Sequence, residues 1–265
     1  MIKCLLIICI VALVYTVWVE PNWLIVKKFE MLPEKDNKVR VVQFTDTQLG
    51  DFYSLEQFKA AIKKINELEP DIILFTGDLI DRANDYEDIE AVGELLQTLK
   101  APLGKFAVWG NHDYGGGGHK YYAEVLENGG FQLLVNEVHE IDAEGTKLAV
   151  IGADDGLYGE EKAQNLISGL DENAYNILMI HEPDLMDNYL EGNVDLALAG
   201  HSHGGQVALP FVGAIVKVPL GEKYTKGFYD FDNERKSKLF VSSGLGSTKL
   251  PFRLCNRPEI IVFDI

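Results

Sequence analysis

The chain has 265 residues, 47% hydrophobic and 25% charged, so disordered and fibrous classes are excluded and one large or two small domains fit. Its 24 Lys+Arg against 41 Asp+Glu leave a net charge of −17, which excludes a nucleic-acid binder working through a basic surface. Cys4, Cys9 and Cys255 make neither a disulfide framework nor a cysteine metal motif.

From the amino terminus, Cys4 to Val19 are sixteen apolar or weakly polar residues between Lys3 and Glu20-Pro21-Asn22. A spanning helix needs roughly 20 such residues, with a lower limit near 17, and Trp18 and Trp23 are placed to sit at the interface. No pair of small residues stands at a cleavage spacing before Glu20. An uncleaved single-span anchor is therefore preferred to a removed signal peptide or a buried helix. Residues 1–30 are read as anchor and connector, and 31–265 as a single domain.

Beyond the connector, strand-like apolar runs alternate with amphipathic stretches. Lys38–Thr45 reads as a buried strand. Ser54, with Gln57 three residues on, caps a helix whose apolar face is Leu55, Phe58, Ile62, Ile65 and Leu68. Pro70 ends it, and a second strand follows at Asp71–Thr76. Ile89–Leu99 reads as helix, Lys105–Trp109 as strand, His119–Asn128 as helix. Further strands are expected at Leu133–Val138, Lys147–Gly152, Asn176–Ile180 and Val194–Ala199, and a strand-rich tail at Lys217–Ile265, with runs at Leu239–Ser242 and Ile260–Ile265. Such alternation means a layered α/β domain.

Polar residues collect just after the strands: Asp46-Thr47-Gln48, Gly77-Asp78 through Asp81-Arg82, Gly110-Asn111-His112-Asp113, His181-Glu182-Pro183 and Gly200-His201-Ser202-His203-Gly204-Gly205. Ligands of open α/β sheets bind beyond the carboxyl ends of the strands. Four of the six histidines fall in these segments, and mixed imidazole and carboxylate donors suit Mn²⁺, Fe or Zn²⁺ rather than Ca²⁺. His201 and His203 stand two apart, so an extended strand would turn both to one side. Tyr114 and the glycine run Gly115–Gly118 read as a mobile substrate-side loop. Arg253 and Arg257 could reach an anionic substrate or be ordinary surface residues.

In order, these segments resemble the calcineurin-like metallophosphoesterases: D-x-H, G-D, G-N-H-D/E, a lone H and G-H-x-H, met over Asp46 to His203 with one departure. Gly204-Gly205-Gln206, Leu209-Pro210-Phe211 and Arg257-Pro258-Glu259-Ile260 resemble the small membrane-anchored bacterial branch. The resemblance implies a layered β-sandwich flanked by helices, following an N-terminal membrane helix. It implies two divalent cations (Mn, Fe or Zn), bridged by Asp78, one completed by Asp46, Gln48 and His203 and the other by Asn111, His181 and His201. By the same resemblance His112 assists the leaving group, Asp81 orients His112, and Asn111, Arg82 and Tyr114 meet the substrate. Gln48 is the departure, since the family usually has His there. Its amide oxygen is a neutral, weaker donor, though manganese-dependent ADP-ribose hydrolases are similar in carrying Gln at this place.

The implied activity is phosphodiester or pyrophosphate hydrolysis by in-line attack of a metal-bridging hydroxide, on an envelope or lipid-linked phosphoester. The expected protein is a monomer, held at the bacterial cell membrane by one N-terminal helix with its catalytic domain extracytoplasmic, and it binds no nucleic acid. Two cations at +4 against Asp46 and Asp78 at −2 leave roughly +2 at the site, so metal is needed to attract an anionic ester to an acidic protein. The rival reading is a non-catalytic envelope scaffold whose first cation site is weakened at Gln48.

Overall fold

The computed structural model describes residues 2–34, 37–143 and 145–265. Two six-stranded sheets lie face to face. The first has the order β1-β14-β2-β3-β4-β5 and the second β12-β13-β9-β8-β7-β6. In the first, β2 (Arg40–Phe44), β3 (Ile72–Phe75), β4 (Gly104–Ala107) and the two-residue β5 (Gln132–Leu133) run parallel. The late strand β14 (Glu259–Asp264) joins antiparallel to β2 and parallel to the early β1 (Ile25–Glu30). In the second, β7 (Thr146–Gly152), β8 (Tyr175–Met179), β9 (Leu196–Ala199) and β13 (Lys238–Val241) are parallel, flanked by antiparallel β6 (Glu137–Ala143) and β12 (Gly227–Asp230).

The central strands β3 (IILF) and β9 (LALA) are apolar at every position because both of their faces are covered. In β3, Ile72 and Leu74 point between the sheets, meeting Leu148, Ile177 and Leu198, while Ile73 and Phe75 point outward. That outer face packs on α2 (Leu55–Asn66), α3 (Ile89–Gln97) and α5 (Tyr122–Asn128). The outer face of the second sheet is covered by α6 (Ala163–Ile167) and the 3₁₀ turns of Pro183–Tyr189. The molecule is thus a four-layer α/β sandwich, as expected from the resemblance.

Local signals explain much of this. The Ser54 hydroxyl accepts from Gln57 N (3.3 Å) and Gln57 Oε1 accepts from Ser54 N (2.8 Å), a closed capping box that starts α2, with Phe58, Ile62 and Ile65 buried. Three expectations need correction. The strand expected over Leu133–Val138 is two strands in different sheets. Asn136 takes a left-handed φ of 55°, and its Oδ1 accepts from Asp154 N and Lys162 N, so the chain turns there from one sheet to the other. The helix expected from His119 begins at Tyr122, after a separate 3₁₀ turn at Gly118–Lys120. Ile25–Glu30, placed with the connector, forms an edge strand of the first sheet.

The N-terminal helix α1 (Ile2–Val14) continues through a π turn (Tyr15–Val19) and a 3₁₀ turn (Glu20–Asn22). Lys3–Asn22 is long and apolar enough to cross a membrane and is almost wholly exposed; an N-terminal signal sequence has the same properties. Only its last turns dock. Thr16 O accepts from Arg253 N (2.9 Å), buried Glu20 accepts from Asn256 N, and the Arg257 guanidinium lies 3.7 Å over the Trp23 ring. Arg257 is therefore stacked at the helix end.

Candidate metal centre

Residues that follow β2, β3, β4, β8 and β9 converge at one edge of the sandwich, drawing on both sheets. The turns are sharp: Asp46, Gln48, Asp78, His201 and His203 all have left-handed φ, between 47° and 64°. Backbone held this way by non-glycine residues costs of order 1–3 kcal/mol each and collects at functional sites. Neighbouring glycines let the loops close. A Cβ at Gly77 would lie 2.7 Å from Gly110 N, and one at Gly110 would lie 2.3 Å from Asp78 Oδ1. The extended strand expected across His201 and His203 is not found; a turn of left-handed residues around Ser202 brings their rings to the cluster.

Seven predicted side chains meet here. Asp46, Asp78 and His181 carry ligand atoms within 4.8 Å of one another. His203 Nε2 is 3.4 Å from Asp46 Oδ1, and Gln48 Nε2 donates to Asp78 Oδ2 at 2.6 Å. On the other side, Asn111 Oδ1 lies 2.9 Å from His201 Nδ1 and 3.3 Å from His181 Nε2, which is also 3.3 Å from Asp78 Oδ2. The outward nitrogen of each histidine ends on a backbone carbonyl: His181 Nδ1 on Thr76 O (2.7 Å), His201 Nε2 on Pro219 O (2.8 Å) and His203 Nδ1 on Gly246 O (3.2 Å). A carbonyl only accepts, so these nitrogens carry hydrogens; the inward nitrogens of His201 and His203 keep a lone pair, and that of His181 frees one when its second proton leaves. This is how ligating histidines are held.

Electrostatics follow from burial. Burial pushes Asp46 up to about 6, with Asp78 beside it adding to the rise. Burial would also raise Asp78, but His181 and His112 beside it hold it well below the usual carboxylate range. Burial, reinforced by neighbouring His181 for the first and Arg253 for the second, lowers His201 to about 4 and His203 to about 3, so both are neutral donors. His181 is raised well above its usual value by Asp78, against the effect of burial.

These donors fit divalent cations. Among the described residues, buried Gln48 Oε1 and His203 Nε2 have no hydrogen-bond partner. An orphaned buried acceptor costs about 1–3 kcal/mol, and a cation at the carboxylates gives both lone pairs a use. Two carboxylates, three imidazoles and two amides suit Mn²⁺, Fe or Zn²⁺.

His112 stands at the rim, its side chain 23% exposed. Its Nδ1 is 2.9 Å from Asp81 O and 3.2 Å from Asp81 Oδ1, and Thr248 Oγ1 donates to that same carboxylate oxygen at 3.0 Å. Burial works against protonation of His112, but Asp78 and Asp81 raise it to about 9. Arg82 is 60% exposed and pairs outward with Asp51 (3.3 Å), Asp81 (3.8 Å) and Asp85 (3.9 Å). Tyr114 ends the single-turn α4 (Asn111–Tyr114), stacks on Trp109 at 4.4 Å and donates to Asp154 Oδ1 at 2.7 Å, so its hydroxyl is engaged inside the protein.

Several contributors carry no sequence assignment. Asp113 is buried and accepts from Asp78 N (2.7 Å), Leu79 N (2.9 Å) and Gly110 N (2.9 Å), clamping two site loops together. Glu182, also buried, stands within reach of His181 and His201. Arg253 is neither at the surface nor facing substrate. It is fully buried, and its guanidinium donates to the carbonyls of Ser243 (2.9 Å), Asn256 (2.9 Å) and Gly246, the carbonyl that holds His203. Asp113 and Glu182 lie in the quoted segments, but nothing separates them there from loop caps. Arg253 gives no signal, since a buried arginine is read only from the fold around it.

The family model for calcineurin-like phosphoesterase matches residues 39–205. The uncharacterized metallophosphoesterase YkuE of Bacillus subtilis (strain 168) is 39% identical over 239 residues, covering 90% of this chain and 82% of that protein. The UDP-2,3-diacylglucosamine pyrophosphatase LpxG of Chlamydia trachomatis is 27% identical over 292 residues, covering 90% of this chain and 86% of that one. Among solved structures, the Haemophilus influenzae NAD nucleotidase NadN superposes with a TM-score of 0.53 at 14% identity, over 80% of this chain and 46% of that chain, a likeness of fold alone.

Proposed function

The chain belongs to the calcineurin-like phosphoesterase family and is a hydrolase, and on that premise we propose that it cleaves a lipid-linked phosphoester or pyrophosphate at the membrane surface. In this reading Asp46, Gln48 and His203 hold one divalent cation, Asn111, His181 and His201 hold a second, and Asp78 serves both. Such a pair supplies Lewis acidity to the phosphoryl oxygens and lowers the pKa of water toward neutrality. The protein's own groups do the rest. Backbone carbonyls fix the three imidazoles, Asn111 stands half-buried where a phosphoryl oxygen would enter, and His112 carries a proton toward the leaving oxygen. Asp81 holds the His112 ring through Nδ1, which leaves Nε2 for the substrate.

The observation that carries the reading is the common orientation of the three histidines, with lone pairs on Gln48 and His203 unused in the buried cluster. The membrane part is supported by the exposed apolar helix Lys3–Asn22 and by LpxG, whose name describes a pyrophosphatase of a diacylated glucosamine nucleotide. Retention of the helix as an anchor is supported by the docking of Thr16, Glu20 and Trp23 onto residues 253–257; the extracytoplasmic placement of the domain is part of the proposal.

The test is Mn²⁺-stimulated hydrolysis together with elemental analysis. His112→Ala is expected to keep two cations per chain and lose about 10²–10⁴ in turnover, whereas Asp78→Asn loses cations and activity together. An Asp78→Asn protein that held both ions and turned over normally would refute the proposal. Faster cleavage of a lipid pyrophosphate than of bis-p-nitrophenyl phosphate, in detergent, is the expected substrate ranking.

A further inference from the structure

Past residue 23, most of the exposed large apolar side chains lie in one place: Leu209, Phe211, Val212, Ile215, Val216 and Leu250. Five belong to a short antiparallel hairpin and its exit, β10 (Ala208–Leu209) and β11 (Gly213–Ala214). Its tip is Phe211, fully exposed and in left-handed backbone (φ 68°), a conformation that bulky side chains avoid. Isolated exposed apolar residues are ordinary in soluble proteins, but a contiguous patch marks an interaction surface.

The position of this patch indicates what covers it. Ala208 N donates to Leu254 O (2.9 Å) and Leu254 N to Gln206 O (3.2 Å), while the adjacent Arg253 N donates to Thr16 O in the last turns of the N-terminal helix. One strand-like segment therefore has the hairpin on one side and the apolar helix on the other. Charge agrees. Residues 196–221 and 235–258 contain no Asp or Glu, in a chain with 41 of them, and exposed Lys249 and partly exposed Arg257 stand in the second stretch. An acid-free apolar surface beside a helix of membrane length suits an anionic phospholipid bilayer, which attracts basic residues and excludes carboxylates. A cleft walled by Val207, Val216, Val218, Leu250 and Phe252 leads from this surface to His203.

We propose that the hairpin of residues 208–216 inserts into an anionic phospholipid bilayer beside the helix, and that the cleft receives an acyl chain of a membrane-resident phosphoester on its way to the metal centre. The insertion stands on the surface itself; the use of the cleft rests on the lipid-linked function proposed above.

The full chain, reconstituted in vesicles of phosphatidylethanolamine and phosphatidylglycerol, tests both parts. In Phe211→Trp, the emission added over wild type is expected to be quenched by half or more when acyl-brominated lipid is included. Unquenched added emission overturns insertion, and a dimer in detergent alongside it would assign the patch to a second copy of the chain. In the double variant Phe211→Asp/Val212→Asp, turnover of a diacyl pyrophosphate in vesicles is expected to fall at least tenfold, while bis-p-nitrophenyl phosphate is cleaved within twofold of wild type. Equal cleavage of the vesicle substrate by variant and wild type overturns the acyl route. Failure of the wild type on every phosphoester refutes the function proposed above, and the bromolipid measurement still decides insertion.

Discussion

At the scale of single residues, the site is a set of protons held in specific places. Without cations, His181 keeps its proton well above the usual range because Asp78 faces it, and Asp46 stays protonated up to about pH 6 because it is buried beside Asp78. His201 and His203 are already neutral above about pH 4 and need release nothing. A cation binding to Asp46 and His181 must expel the protons they hold. Falling pH adds a proton to Asp46, so affinity weakens through and below pH 6; rising pH favours binding. Mn²⁺ affinity measured by calorimetry between pH 5 and 8 is therefore expected to climb about tenfold per pH unit for each proton displaced, with proton release visible as a dependence of the heat on buffer. A pH-independent affinity would contradict this arrangement. Asp78, His112 and the spaced histidines could be read from the sequence because polar residues in apolar surroundings are conspicuous. The carbonyls of Thr76, Pro219 and Gly246 could not, because any residue supplies a carbonyl and only the fold aims it.

At the scale of elements, legibility followed burial. β2, β3, β8 and β9 are covered on both faces, so their apolar runs announce them, and α2 declares itself by a capping box and a single apolar face. β1 and β6 are the opposite case. Their sequences, IVKKFE and EVHEIDA, mix charges and apolar residues because each is an edge strand with exposed positions. The segment 243–257 has little regular structure, yet it links the helix end to the site through Arg253, whose donors end on Ser243, Gly246 and Asn256. Burial lowers Arg253 to about 10, still charged at neutral pH. A lysine keeps that charge but cannot span three carbonyls with one planar fork. Arg253→Lys is expected to cost about 2–3 kcal/mol in urea unfolding, the worth of a lost charged hydrogen bond. It should also weaken cation binding on the His203 side, since Gly246 O loses its tether. Unchanged stability would show that the guanidinium holds nothing in place.

At the scale of the whole molecule, a −17 chain gathers several buried carboxylates at one edge, Asp46 and Asp78 among them, where cations would offset their charge. Binding at one hundred times Kd stabilises a folded protein by about 2.7 kcal/mol per site, and 1 kcal/mol moves the midpoint of a domain this size by about 2–4 °C. Removing one cation by chelation is therefore expected to lower the thermal midpoint by about 5–10 °C, recovered on adding Mn²⁺. An unmoved midpoint would mean that the donors are satisfied without metal.

The order of the first sheet sets the timing of folding in the cell. β14 lies between β1 and β2, so the strand made last is the one that both early strands require. A nascent chain on the ribosome holds β1 without this partner for more than two hundred residues of further synthesis. Pairing this distant in sequence is slow and leaves edges exposed. The half-made protein thus carries an unpaired β1 and an open edge on β2 until residue 259 emerges from the tunnel.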